Sequence, residues 1–198
     1  RKNMANHVYF NVTVDGNEEC LKGFSSAMET HTVKRKLWDG TEYVCRELLD
    51  IDKLKFMPEG TYDKDGWLED SWNYYVNNVG AKWCNVEEVE EDSFSGYSAW
   101  SAPIQFVQYL HEYLYDHHDK KHSIKMTYED EFRNFIGVAH YKDANFDWEE
   151  LDEGDIQEEM RKVFGDAVDK EDFWDGEYDE GDPQEIQDEI VWEWFENN

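Results

Sequence analysis

A chain of 198 residues holds one well-buried domain with an appendage and is too short for two domains of ordinary size. Its 48 Asp and Glu against 19 Lys and Arg give a formal charge of -29, far beyond the magnitude of about 2 to 8 that keeps a small domain in solution. Such a surface repels DNA, RNA and anionic membranes and attracts basic partners, while an aromatic content of 16%, with nine Trp, excludes a disordered chain despite a mean hydropathy of -0.93.

Cys20, Cys45 and Cys84 are an odd number with no C-x-x-C spacing. They predict neither a disulfide framework nor a zinc site and read as reduced thiols. No apolar run approaches the roughly 18 residues of a membrane span, and no signal-peptide core is present. The expected location is a cytosol, where the sequon at Asn11 is idle, and Met4 is the expected start.

Residues 7–14 alternate Val8, Phe10, Val12 and Val14 with Tyr9, Asn11 and Thr13, which predicts a half-buried strand ended by Asp15-Gly16. Asn17 is placed to cap a helix through Thr30, with Cys20, Leu21, Phe24 and Met28 as its stripe. Residues 33–56 are mixed: KRKLW reads as a strand, 42–49 as a strand or a short helix, and Pro58-Glu59-Gly60 as a turn. Leu68, Trp72, Tyr75, Val76 and Val79 fall at helical spacing, capped by Gly80.

The stretch from Val79 to Leu114 is the expected organising centre, with Trp83, Trp100 and Phe106 in the core. Residues 81–91 predict an edge-like strand, and the polar SFSGYS at 93–98 predicts a turn. A helix then starts near Ser101 and Pro103, burying Phe106, Val107, Leu110 and Leu114. Ile124, Met126 and Tyr128 mark a further strand, and 132–141 the last, broken at Gly137.

This order predicts an α+β fold, a ferredoxin-like split βαβ sandwich over residues 4–145, followed by an acidic helical extension over 146–198 packed on it. NHVYFNVTVDG at 6–16, GAKW at 80–83, SAWSAP at 98–103 and FIG at 135–137, in that order, resemble the YubB ferredoxin-like domain family of bacteriophages and plasmids. Val79 stands where the family is expected to carry an aromatic, and residues 33–66 form a longer insert. The resemblance implies a fold and a mobile-element origin, and carries over no functional residues.

From Asp147 onward, 22 Asp and Glu stand against Arg161, Lys162 and Lys170, a net of -19. Asp155-Ile156-Gln157-Glu158 has the order of a capping box, with Ile156, Met160, Val163 and Phe164 at helical spacing after it and Gly165 as the stop. Asp182-Pro183-Gln184-Glu185 repeats that order with Pro at the first helical position. Ile186, Ile190, Val191, Trp194 and Phe195 then share one side of a second helix, with carboxylates on the other.

Carboxylates three and four residues apart lie roughly 5–6 Å from one another, and duplex DNA presents one charge per roughly 1.7 Å of axis over both strands. The sequence therefore predicts a non-enzymatic mimic of nucleic-acid phosphates that blocks a basic, nucleic-acid-binding host protein, with no cofactor. The expected contact residues are Glu149, Glu150, Asp152, Glu153, Asp155, Glu158 and Glu159, then Asp175, Glu177, Asp179 and Glu180, then Glu185, Asp188, Glu189, Trp192, Glu193 and Glu196. Trp174 and Tyr178 join Trp192 as expected aromatic anchors.

Three other readings compete: an interaction module for a basic phage or host protein, weak calcium binding by the acids at 175–182, and a hydrolase whose site assembles only in the fold. His111, His117, His118 and His122 lack zincin spacing, since Tyr115 stands where the second His belongs. They read as a surface helix end. Asp63, Asp65 and Asp70 fail EF-hand spacing and read as a turn.

Overall fold

The computed structural model describes residues 6–28, 30–36, 42–48, 76–77, 79–82, 84–176 and 178–198, with backbone alone for 30–36 and 42–48. The predicted helix around Leu68–Val79, the calcium-like acids at 63–70 and the Trp83 side chain lie largely outside these residues.

Strict alternation makes β1 (His7–Asp15) a strand with Val8, Phe10, Val12 and Val14 buried. Asn17 then caps α1 (Glu18–Ala27), its side chain accepting from the Cys20 amide at 2.9 Å. β2 (Thr30–Lys36) and β3 (Glu42–Leu48) pair antiparallel as a separate ribbon, so the stretch read as strand or helix is a strand. β4 (Cys84–Val89), β5 (Ser93–Ala99), α2 (Ile104–His117), β6 (Ser123–Asp130), β7 (Phe135–Lys142) and β8 (Asn145–Asp152) follow. The chain closes with α3 (Glu153–Phe164), two short 3-10 turns and α4 (Pro183–Asn197).

Six strands form one antiparallel sheet in the order β4-β5-β1-β6-β7-β8, so the architecture is mixed α+β. α1 and α2 cover one face, where Phe24, Phe106, Leu110 and Leu114 meet Phe10, Val12, Met126 and Tyr128 in the main core. Successive residues of a strand point to opposite faces. Ala139 and Tyr141 of β7 accordingly join that core, while Ile136 turns to the other side and packs on Ile156 of α3 and Val191 of α4. Helices thus lie on both faces of the β7–β8 end.

Several expectations change, beginning with α1, which ends at Ala27 so that Thr30 opens β2. SFSGYS is strand β5, second from the edge, because Phe94, Gly96 and Ser98 form a buried face between β1 and β4. The buried Ser98 hydroxyl donates to the Ser101 carbonyl at 2.7 Å, which is what allows a serine there. Trp100 is 49% exposed with φ of +72° under the Lys82 ammonium, not in the core.

Gly137 does not break β7; a Cβ there would lie 2.1 Å from the Tyr128 ring, so the glycine makes room for that side chain. Val163 faces solvent, since the α3 stripe is Ile156, Met160 and Phe164. Finally, residues 146–152, expected within a helical extension, run with Asn145 as strand β8 along the whole of β7.

Candidate functional site

The expected contact residues fall on β8, α3, the connection after it and α4. On β8 the acids occupy a sheet edge, where charge also blocks pairing with another chain's strand. Glu149 is exposed, and Glu150 accepts a hydrogen bond from Tyr128 Oη at 2.9 Å, the same hydroxyl that receives the Trp148 indole N–H. Burial pushes the Tyr128 phenol well above its ordinary pKa, so it remains a donor. Glu150 is therefore partly occupied in holding the edge strand.

Asp152 and Asp155 are committed to a capping box: the Asp155 amide donates to Asp152 Oδ1 at 3.0 Å, and the Asp152 amide to Asp155 Oδ2 at 3.2 Å. The box begins three residues earlier than its sequence order indicated, because β8 runs straight into α3. Glu159 pairs with Lys162 at 2.5 Å, and Arg161 grips Asp169 with two bonds of 2.6 and 2.8 Å. Glu153 and Glu158 are exposed and make no hydrogen bond or close ion pair among the described residues, though Glu158 acts on Arg161 and Lys162 through space.

In the connection, Asp175, Asp179 and Glu180 are exposed, and Glu177 lies outside the described residues. Trp174 is 54% exposed. Tyr178, an expected anchor, instead packs against Phe164 and Phe173 at ring distances of 5.3 and 5.4 Å. It closes a small core under α3.

α4 follows its predicted faces. The Asp182 carboxylate caps it by accepting from the Gln184 and Glu185 amides at 2.8 and 3.3 Å, with Pro183 in the first turn. Val191 is buried and Ile186, Ile190, Trp194 and Phe195 are half-buried. Glu185, Glu189, Glu193 and Glu196 are exposed, as is Trp192 at 65%. Asp188 stands apart: Arg133, in the β6–β7 turn, reaches it at 2.5 Å and also binds Glu129 at 2.6 Å. That guanidinium holds the Asp188 carboxyl below the usual carboxylate range, so Asp188 anchors α4 to the sheet.

The fold also assembles what sequence could not. His111 and His122 are buried, 4% and 0% exposed, rather than on a surface helix end. His111 Nδ1 lies 2.9 Å from His122 Nε2, and His122 Nδ1 lies 2.5 Å from the Asp119 carbonyl. A second feature is a recess of about 510 Å³ between the β6–β7 turn, α3 and the start of α4, lined in part by Glu131, Phe132, Arg133, Glu153 and Trp174. Its lining comes from distant stretches, and the isolated Arg133 amid acids was the one local signal.

Burial pushes the Cys20 thiol up to about 11, away from the thiolate a nucleophile needs. Among the described residues no three His, Cys, Asp or Glu side chains gather as metal ligands, and no helix is long and apolar enough to cross a membrane. No family model, curated protein or solved structure matches the chain.

Proposed function

We propose that this protein is a stoichiometric inhibitor whose α3–α4 surface stands in for nucleic-acid phosphates in the groove of a basic host protein, such as a restriction, CRISPR or nucleoid factor of a phage-infected cell. Strands β4, β5, β1 and β6 with α1 and α2 would form its ferredoxin-like split βαβ scaffold, of the YubB type. The strand order, with β5 and β6 flanking β1 and a helix in each crossover, supports that scaffold.

One observation carries the reading. The last turn of α4 has no cation, yet Glu196 stands there exposed at the negative pole of the helix, with Glu193 exposed just before that turn. Anions at that end cost about 0.3–1 kcal/mol each, and like charges three or four residues apart cost a few tenths more. Glu185, Glu189, Glu193 and Glu196 repeat the like-charge spacing along about 16 Å of axis at 1.5 Å per residue, and only Glu185, in the first turn, is favoured there by the dipole. Helix stability alone selects against such an array, whereas a basic groove rewards it.

Exposed ion pairs contribute only about 0–1 kcal/mol each, so Trp192, beside the acids, is the apolar anchor that tight binding requires. Charge steering makes association fast and salt-sensitive.

The test is capture from bacterial lysate by the whole chain and by a variant with Glu185, Glu189, Glu193 and Glu196 replaced by Gln. Asp188 is left intact because it ties α4 to Arg133. The parent retains a nucleic-acid-binding protein that DNA displaces, and the variant loses it. A partner that binds both forms equally, or ignores competing DNA, would instead mark an interaction module for a basic protein.

A further inference from the structure

We infer that the recess beside the start of α4 receives an arginine side chain of the basic partner, an inference that rests on the proposed inhibitor role. Its volume of about 510 Å³ is that of a ligand pocket rather than a packing defect. Ile156, Met160 and Phe173 supply an apolar floor. Phe132 and Trp174, 68% and 54% exposed, line it together with Glu131 and Glu153.

The charges inside decide what fits. Arg133 is the cation among the lining residues, but its guanidinium already donates to Glu129 at 2.6 Å, Gln187 at 2.9 Å and Asp188 at 2.5 Å. Its charge is therefore already matched by the two carboxylates of Glu129 and Asp188. Among the described residues Glu153 has no hydrogen bond or ion pair, and Glu131 meets His7, at 3.5 Å, which is an ion pair only when that ring is protonated. The unspent charge of the recess is negative.

The aromatics narrow the choice further. The β6–β7 turn uses Phe132 only through its amide, which donates to the buried Asp130 carboxylate at 3.1 Å. Its ring is free of any duty in the turn and lies open to solvent. Trp174 makes an edge contact with Phe173 at 5.1 Å and leaves much of its indole in water.

A planar, weakly hydrated guanidinium stacks on such rings while donating in a fork to a carboxylate, and its methylene stem covers an apolar floor. An ammonium is a strongly hydrated point charge and gains less from the same walls. The recess thus supplies a specific anchor beside the long-range charge of α4.

The test follows the Trp174 indole N–H by NMR while acetyl-arginine amide is titrated into the whole chain, with Trp174→Phe to assign the signal. A saturable shift at Trp174, with the Trp194 signal unmoved, is expected. Acetyl-citrulline amide, the neutral isostere, binds at least about tenfold more weakly, acetyl-lysine amide several-fold more weakly, and Glu153→Gln weakens the arginine probe about tenfold.

No saturable shift, or equal response to citrulline or lysine, overturns the inference. The four-Gln variant of α4 separates the two ideas, since it keeps the small-probe response while losing protein capture. If the probe fails and capture by α4 persists, the recess assignment falls alone. If the probe binds and capture ignores the α4 acids, the inhibitor reading falls instead.

Discussion

The buried histidine pair fixes its own protons. A carbonyl only accepts, so His122 Nδ1 carries the hydrogen toward Asp119, and its Nε2 is then the acceptor for His111 Nδ1–H. His111 Nε2 is left as a bare lone pair with no partner among the described residues. Burial, reinforced by the neighbouring His122, lowers the His111 pKa from 6.5 to about 4.

The sign of the pH effect follows. Above pH 6.5 the ring is neutral folded and unfolded, and its stabilising contribution is complete. As the pH falls toward 4, the unfolded chain binds a proton that the fold refuses, so stability drops, levelling off once both forms are charged. The loss is roughly 3 kcal/mol at 1.36 kcal/mol per pH unit of displacement. Unfolding free energies of the parent and of His111→Phe, from urea titrations between neutral pH and about 4, should diverge by this amount, with the parent losing more. Parallel curves would mean that His111 titrates normally.

α4 sets local stability against interaction. Replacing Glu193 and Glu196 by Lys supplies the cations that the end of the helix lacks. Each change should raise stability by about 0.3–1 kcal/mol in chemical denaturation, yet partner capture should fall. A double variant that gained stability and kept its partner would remove the reason given for those acids.

The α4 faces were legible because the apolar spacing of Ile186, Ile190, Val191 and Trp194 matches one helix face, which docks on two adjoining clusters, around Phe164 and around Ile136. β1 and α2 were legible for the same reason. β5 was not: its buried face is Phe94, Gly96 and Ser98, and only the strands on either side and the Ser101 carbonyl make that composition tolerable. β8 escaped although Phe146 and Trp148 alternate with Asn145, Asp147 and Glu149: at the sheet edge both rings stay about half exposed, and the acids read as the start of the charged extension. The His111–His122 pair and the recess join residues that only tertiary packing brings together, so no spacing announces them.

For the molecule as a whole, the charge of -29 should make salt act with opposite signs on folding and on binding. From about 0.01 M to about 1 M salt the Debye length shrinks from about 30 Å to about 3 Å. Repulsion among the exposed acids of β8, α3 and α4 is then screened, whereas the partly buried Arg133 bridge to Glu129 and Asp188 is screened less. The melting temperature should therefore rise with salt. Capture of a basic partner, driven by the same unneutralised acids, should weaken over the same range. Scanning calorimetry and lysate capture at matched salt concentrations read the two signs together. A melting temperature that fell with salt would mean that favourable pairs outweigh repulsion on this surface. The acids would then be serving the fold, and the case for a phosphate-like array would lose its physical basis.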